Sequence, residues 1–524
     1  MKRSTLQLLL LLCVLNTMAQ SPFYTTIGGP LSEFSLYSTV TRDGGFAVVG
    51  WTTSFGAGGW DLYLVKTSAA GELEWTRTYG GQGDEVDCAV EQTADGGFLI
   101  AARTNSFGAG EADVYVVKTD AKGQPEWTKT YGGPGWDEGH SLLPTTEGGF
   151  IIAGYTGSFG AGQQDVYVIK CNATGGVEWS RTYGGAGSER GHKIRELADG
   201  SYLIAGETTS PTTDHWNMFL MRIGSSGEPM WVKVYNGNGV EFGWDVAPTH
   251  DGGYALAGFT NCHGAGANDA CLLKLDNVGE VQWAKTYGGP ERDIAISVRE
   301  TNDGGLFVCG ETASFGHGWD DAYVLRTTSV GELIWSKTYG GAGDDGARYG
   351  AQLADGGYYI AGFAQMQEAE NWDFLLMRTD EMGSTQGCNE SPAATIVQGH
   401  TVVASDFTFS IGTGAVVADV PANAGYGGAA KACSASSIAE EGSGYVPLEI
   451  YPNPTFGPVI VTSTDASVNA TLITIDVLGD QVIPPCALQG GFASLDLSGV
   501  APGAYLITAE RNGRRMESRY LIKQ

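Results

Sequence analysis

Hydrophobic and polar positions alternate in short runs along most of the chain, and the runs return at a fixed interval. In one interval they cover residues 86–93, 98–104, 114–119 and 126–131. Each run is rich in β-branched or aromatic residues and is bounded by glycine or acidic turn residues, so each reads as a strand. Asp95-Gly96-Gly97 joins the first two as a tight hairpin, because glycine occupies left-handed turn positions at least cost. The same acidic turn falls at Asp43, Asp95, Glu147, Asp199, Asp251, Asp303 and Asp355, a spacing of 52 residues. Ser201 replaces the second glycine of the fourth copy, and Leu306 the aromatic that follows the sixth. Trp75, Trp127, Trp179, Trp231, Trp283 and Trp335 keep the same interval. Four short strands per period of this length predict one blade of a β-propeller, and seven copies predict seven blades.

The ends of the repeat tract extend this reading. The last unit stops after its third strand, whereas Phe23 stands 52 residues before Trp75. Residues 23–27 are therefore expected as the outermost strand of the seventh blade. The expected fold is all-β: a closed seven-bladed β-propeller of four-stranded blades over residues 20–387, followed by a small C-terminal β-sandwich over 447–524. Between them, residues 388–446 are rich in Ala, Gly, Ser and Val and read as a linker with some strand content. At the other end, Lys2 and Arg3 precede an apolar run at residues 8–15, with Thr17 and Ala19 as small residues at a cleavage site. Residues 1–19 read as a secretory signal peptide, and no later stretch is long and apolar enough to span a bilayer.

Charge narrows the partners. Fifty-nine acidic residues against 30 basic ones give a net charge of -29, which disfavours nucleic acid and keeps an exported protein soluble. The cysteines do not follow the period and lack metal-ligand spacing, although Cys388 and Cys433, or Cys262 and Cys271, are placed to bridge.

Three polar positions recur with the repeat. Glu33, Glu85, Asp137, Glu189, Glu241, Asp293 and Asp345 open the first strands. Asp61, Asp113, Asp165, Asp269, Asp321 and Asp373 open the third, with basic residues from Lys66 to Arg378 five positions on. Sevenfold recurrence favours a structural role, since a catalytic site needs one asymmetric cluster. No cofactor is predicted. Calcium is the ion that such carboxylates suit best, but no loop carries the spaced ligand ladder it requires.

Function is expected where the repeat breaks. Cys88, His140, His192, Trp244 and Arg348 share one equivalent position near the start of the first strand, facing the channel. The fourth unit adds His215 and Trp216 in a segment unlike its counterparts. His140, Arg190, His192, His215, Trp216 and Trp244 are the predicted ligand site at the channel mouth. No catalytic residue and no metal ligand is assigned, because His140 and His192 are expected to lie too far apart to share an ion. The favoured role is a secreted or surface-displayed binding or scaffold protein for glycans or surface polymers. The alternative is a polysaccharide hydrolase or lyase, in which Glu189 and Glu241 would act as acid and base.

The C-terminal residues carry a family likeness. Tyr451-Pro452-Asn453-Pro454-Thr455 with Gly457, Asp476-Val477-Leu478-Gly479, and Gly503-Ala504-Tyr505-Leu506 occur in that order, ahead of a basic, aromatic end. Residues 447–524 thereby resemble the type A C-terminal sorting domain of the type IX secretion system of Bacteroidota. The resemblance implies export through the Sec machinery, recognition at the outer membrane by the type IX machinery, and removal of the domain. The mature body is then secreted or attached to the cell surface. The repeats are similar to those of uncharacterised exported bacterial propellers, which supports the fold and implies no activity.

Overall fold

The computed structural model describes residues 21–433 except 211–214, 238, 367–370, 415, 420–423 and 426–428. Beyond these it describes Val500 and the strands between Leu448 and Lys523. The chain divides into two units, Met1–Ser434 and Ala435–Gln524. In the first, seven antiparallel sheets stand in a propeller arrangement. The second blade shows the plan, with Glu85–Gln92, Phe98–Thr104, Asp113–Thr119 and Pro125–Gly132 pairing in chain order. Its second and third strands are buried at every position, because a blade packs against a neighbour on both faces. The fourth strand alternates at its outer end, where Trp127 meets solvent.

Periodic polar residues hold the blades together. Tyr79 Oη donates to the Gly123 carbonyl of the next blade at 2.7 Å, and Tyr131, Tyr183, Tyr235 and Tyr287 repeat the bond with Gly175, Gly227, Gly279 and Gly331. Gly123 has φ +72°, and a Cβ there would lie 2.7 Å from the Trp75 ring, so turn glycine and tryptophan are matched across blades. The carboxylates that open the first strands bind their own loops. Glu85 accepts from Gly81 N at 2.9 Å and Thr104 Oγ1 at 2.5 Å, and Glu33 and Glu189 make the equivalent pairs. Asp61, Asp113, Asp165 and Asp269 accept from loop amides, and the basic series pairs with the hairpin-turn acids, as in Lys118–Asp95 at 2.9 Å.

The closed, four-stranded blade plan requires correction. Each of the seven blade sheets has five strands and is open, running from an inner to an outer edge without pairing back on itself. The fifth strands come from the expected linker. Glu390–Pro392, Ile396–Gly399, Val403–Asp406, Ser410–Gly412, Val416–Asp419, Ala424–Gly425 and Ala429–Cys433 pair with the sixth, fifth, fourth, third, second, first and seventh blades in turn. Phe23–Gly28 does supply the fourth strand of the last blade, paired to Asn371–Thr379, but Ala429–Cys433 lies outside it. The physical reason is edge protection: a four-stranded blade would leave a row of unpaired amides and carbonyls on its outer strand. Cys388, at the start of this belt, is buried and disulfide-bonded.

In the C-terminal unit, Leu448–Tyr451, Val459–Ser463 and Phe492–Leu495 form one sheet. Cys486–Leu488, Ala470–Ile475, Gly503–Arg511 and Arg514–Lys523 form another. Tyr451, Gly503 and Tyr505 of the sorting motif fall on these strands. Pro452, Asn453, Pro454, Gly457 and Gly479 lie outside the described residues, as does the signal peptide.

Candidate functional site

Each first strand carries a register break at one equivalent place. In the third, fourth, fifth and seventh blades the unpaired residues are His140, His192, Trp244 and Arg348; Leu36 and Ile296 occupy the position in the first and sixth. In the second blade the break takes two residues, Asp87 and Cys88, and Asp87 adopts φ 54°. A bulge twists the strand and re-aims the extra side chain, so the seven bulges direct these eight side chains into one central cavity. That cavity has a volume of about 160 Å3 and is lined by all of these residues. Its next layer is Tyr37, Lys193, Asp245, Ser297 and Tyr349.

His140 and His192 meet directly, Nδ1 to Nδ1 at 3.0 Å. Each Nε2 faces a carboxylate, His140 to Glu138 at 2.8 Å and His192 to Glu207 at 2.5 Å. A carboxylate only accepts, so each Nε2 carries a proton, and the Nδ1 contact has room for one more. A proton shared between the two Nδ1 atoms would give the pair three ring protons and one positive charge. Burial opposes that charge at His140, but its hydrogen bond to Glu138 and the surrounding carboxylates win and raise its pKa. Burial likewise opposes ionisation of Glu138, yet the bond to His140 brings its pKa down to about 2. The expected separation of the two histidines is thus corrected: the bulges turn them toward each other across neighbouring blades.

The lower layer is electrostatically opposite. Lys193 Nζ donates to Tyr37 Oη at 2.6 Å, and Tyr37 donates to Glu91 at 3.3 Å. Burial, reinforced by Arg195 and Arg299, pushes the Lys193 pKa well down. Those arginines instead pair with Asp245, at 3.0 Å from Arg195, and hold its carboxyl below the usual range despite burial. Asp87 lies near Arg103 at 3.5 Å, and burial raises its pKa.

The remaining predicted residues extend outward. Trp244 packs on His192 with ring centroids 4.7 Å apart. Arg190 lies over Tyr155 at 5.2 Å and Trp216 at 4.9 Å, and its Nε donates to Gln164 at 2.8 Å. Trp216 lines a second cleft of about 580 Å3 with Ser188, Thr209, Ser210 and Phe407. The structure therefore brings His140, His192 and Trp244 together at the cavity and sets Arg190 and Trp216 beside it. His215 is exposed and is not part of either cluster. Glu189 is spent on its loop, Glu241 accepts from Cys262 Sγ at 2.8 Å through one oxygen while its Oε2 is buried without a hydrogen-bond partner, and neither residue lines the central cavity.

Lys193, Tyr37, Glu138 and Glu207 were not singled out by sequence. For Tyr37 and Lys193 the signal lies in the same period: Tyr37, Ala89, Ser141, Lys193, Asp245, Ser297 and Tyr349 form one column of equivalent positions with no common chemistry. Among the described residues no three His, Cys, Asp or Glu side chains converge as a metal site.

Comparison with known proteins places the C-terminal segment: residues 449–523 match the secretion system C-terminal sorting domain. No curated protein matches the chain. Among solved structures it is similar to PorZ, a surface component of the type IX secretion system of Porphyromonas gingivalis. That match has 10% identity and a TM-score of 0.37 over 93% of this chain and 59% of PorZ. The polysaccharide lyase Uly1 matches at 13% identity and TM-score 0.41, over 68% of this chain and 90% of the lyase. Puromycin hydrolase matches at 16% identity and TM-score 0.35, over 64% and 50%. The chain thus spans about three-fifths of PorZ and half of the puromycin hydrolase. At this level of similarity neither activity nor ligand transfers.

Proposed function

We propose that this exported β-propeller protein, sent through the type IX secretion system by its C-terminal sorting domain, is a lyase acting on an acidic polysaccharide at the central cavity. The export premise makes the mature protein secreted or surface-associated, where extracellular polymers are the available substrates. No helix among the described residues is long and apolar enough to cross a membrane.

The observation that carries the reaction is the pairing of opposed proton affinities in one cavity. Lys193 is biased toward its neutral form, whereas His140, in contact with His192, is biased toward its protonated form. Groups pushed apart in this way divide into base and acid. Lys193 takes the proton from the ring carbon next to a uronate carboxylate. The electron pair left behind forms the new carbon–carbon double bond, the bond to the glycosidic oxygen breaks, and that oxygen takes its proton from the histidine pair. Arg348 pairs with Glu311 at 2.8 Å, and its Nε, which has no hydrogen-bond partner among the described residues, is the donor at the cavity wall for the uronate carboxylate. Lyase chemistry fits better than hydrolysis, because the carboxylates around the cavity are already committed to histidine or arginine and leave no free pair to flank a glycosidic bond.

Incubation of the full-length protein with polygalacturonate, alginate and hyaluronan tests this. The expected product absorbs in the ultraviolet through its new double bond, and Lys193→Met should slow its formation by about 100-fold or more. New reducing ends without that absorbance would instead mean hydrolysis. Selective binding without any product favours a glycan-binding scaffold, for which the partnerless Nε1 of Trp244 and Nε of Arg348 are the support.

A further inference from the structure

In the first, second, third and sixth blades, a phenylalanine in the loop before the third strand packs on a tyrosine within that strand. The ring centroids lie 5.7–6.0 Å apart in Phe55–Tyr63, Phe107–Tyr115, Phe159–Tyr167 and Phe315–Tyr323. A serine precedes each of these phenylalanines. The fifth blade changes all three positions at once: Cys262 stands for the serine, His263 for the phenylalanine and Cys271 for the tyrosine.

The belt changes at the same place. In the third and sixth blades it offers an oxygen to the tyrosine, where Tyr167 Oη donates to the Gly414 carbonyl at 2.7 Å and Tyr323 Oη meets Thr395 Oγ1. In the fifth blade it brings His400 instead, with Nε2 3.8 Å from Cys271 Sγ. The His400 ring stacks on His263 with centroids 4.6 Å apart and planes 28° apart. A space of about 10 Å3, room for one small atom, is lined by His263, Cys271, His400, Glu241 and Met218. His263 Nε2, His400 Nδ1 and Glu241 Oε2 are buried without a hydrogen-bond partner among the described residues, and Glu241 is only 3% exposed. Buried polar atoms are satisfied in most native structures, so three orphans around one space mark a place for a partner.

We infer that the fifth blade and the belt together hold a copper(I) ion between Cys271, His400 and His263, at a site separate from the central cavity. An ion about 2.3 Å from sulfur and about 2.0 Å from nitrogen would see Cys271 Sγ and His400 Nε2 at roughly 120°, which is the trigonal angle and leaves a third place open. No three of the described donors converge as they lie; turning the His263 ring, whose Nε2 has no bond to give up, supplies the third. Two imidazoles and a thiolate with a methionine beside them are a donor set that suits copper. Cys271 gives its proton to solvent as the copper–sulfur bond forms, so the thiolate matches the charge of the ion and no oxidant or reductant is needed.

Anaerobic titration of the full-length protein with copper(I), in competition with a chromogenic copper(I) chelator, tests this. One equivalent should be withheld from the chelator. Cys271→Ser and His400→Ala should each weaken it by about 100-fold or more, beyond what loss of an outer partner of a ligand costs. His263→Phe restores the residue of four other blades and so keeps the fold, and it should weaken binding by about tenfold or more. Cys486→Ser, in the C-terminal unit, should bind as the parent does. Zinc(II), which asks for four donors, should bind less tightly, and the reverse order would overturn the choice of copper. The site itself is overturned if no equivalent is withheld, as for a space that holds only water. It is equally overturned if the equivalent is lost in Cys88→Ser but kept in Cys271→Ser and His263→Phe.

Discussion

Replacing Glu138 with glutamine tests the charge balance of the histidine pair directly. Glutamine keeps the size of the side chain and an acceptor for Trp136, but removes the negative charge 2.8 Å from His140 Nε2. Two unit charges about 4 Å apart interact by ~4 kcal/mol at an effective dielectric constant near 20. Glu138 is shared with Arg103 at 3.3 Å and the His140 side chain is 18% exposed, so we discount this to ~2 kcal/mol. The proton on the pair should then be held about 30-fold less tightly, and burial should dominate at His140. The chain has seven histidines, few enough for nitrogen-15 imidazole resonances to be followed one by one through a pH titration. The His140 resonance should titrate at distinctly lower pH in Glu138→Gln. Stability follows with a defined sign. The raised His140 pKa contributes stability below the ordinary value of 6.5, lost as pH rises through the folded-state pKa. The lowered Glu138 pKa contributes above the ordinary 4.5, lost as pH falls toward about 2. The pair's full contribution therefore lies between pH 4.5 and 6.5, and Glu138→Gln should flatten that maximum. An unchanged His140 titration would refute the reasoning.

Two further outcomes concern the scaffold. A chain ending at residue 387 should melt lower and self-associate more than one ending at 434, because it exposes the fourth-strand edges; loss of the Cys388 disulfide alone costs about 2–5 kcal/mol. Thermal unfolding with light scattering reads both effects, and identical behaviour of the two chains would show that the belt is not structural. Gly148→Ala should cost ~1–2 kcal/mol, since φ is +93° and nothing lies within 4 Å, whereas Gly123→Ala should cost ~1–3 kcal/mol more by pressing on Trp75. Denaturant titrations that rank the two equally would contradict the packing of that turn under the neighbouring tryptophan.

The sequence alone determined the blade count and the first four strands of each blade, because a 52-residue period of alternating runs reports which faces are buried. It also determined the export route, since the sorting signal is a local motif that needs no partner to be read. It placed Cys88, His140, His192, Trp244 and Arg348 at one column of the repeat, which is where the cavity lies. Only the tertiary structure decided what that column does. The bulge that aims these side chains inward is a backbone register break, and nothing in the side-chain pattern announces that His140 and His192 will touch. The same holds for Lys193, whose low proton affinity comes from burial, with Arg195 beside it and Arg299 two blades away adding to it. The belt over 390–433 was equally illegible: strands of two to five residues attach through backbone hydrogen bonds to an outer edge, where no buried face imposes an alternation. Side-chain periodicity records burial, whereas edge pairing and the convergence of charges from different blades exist only once the chain has folded.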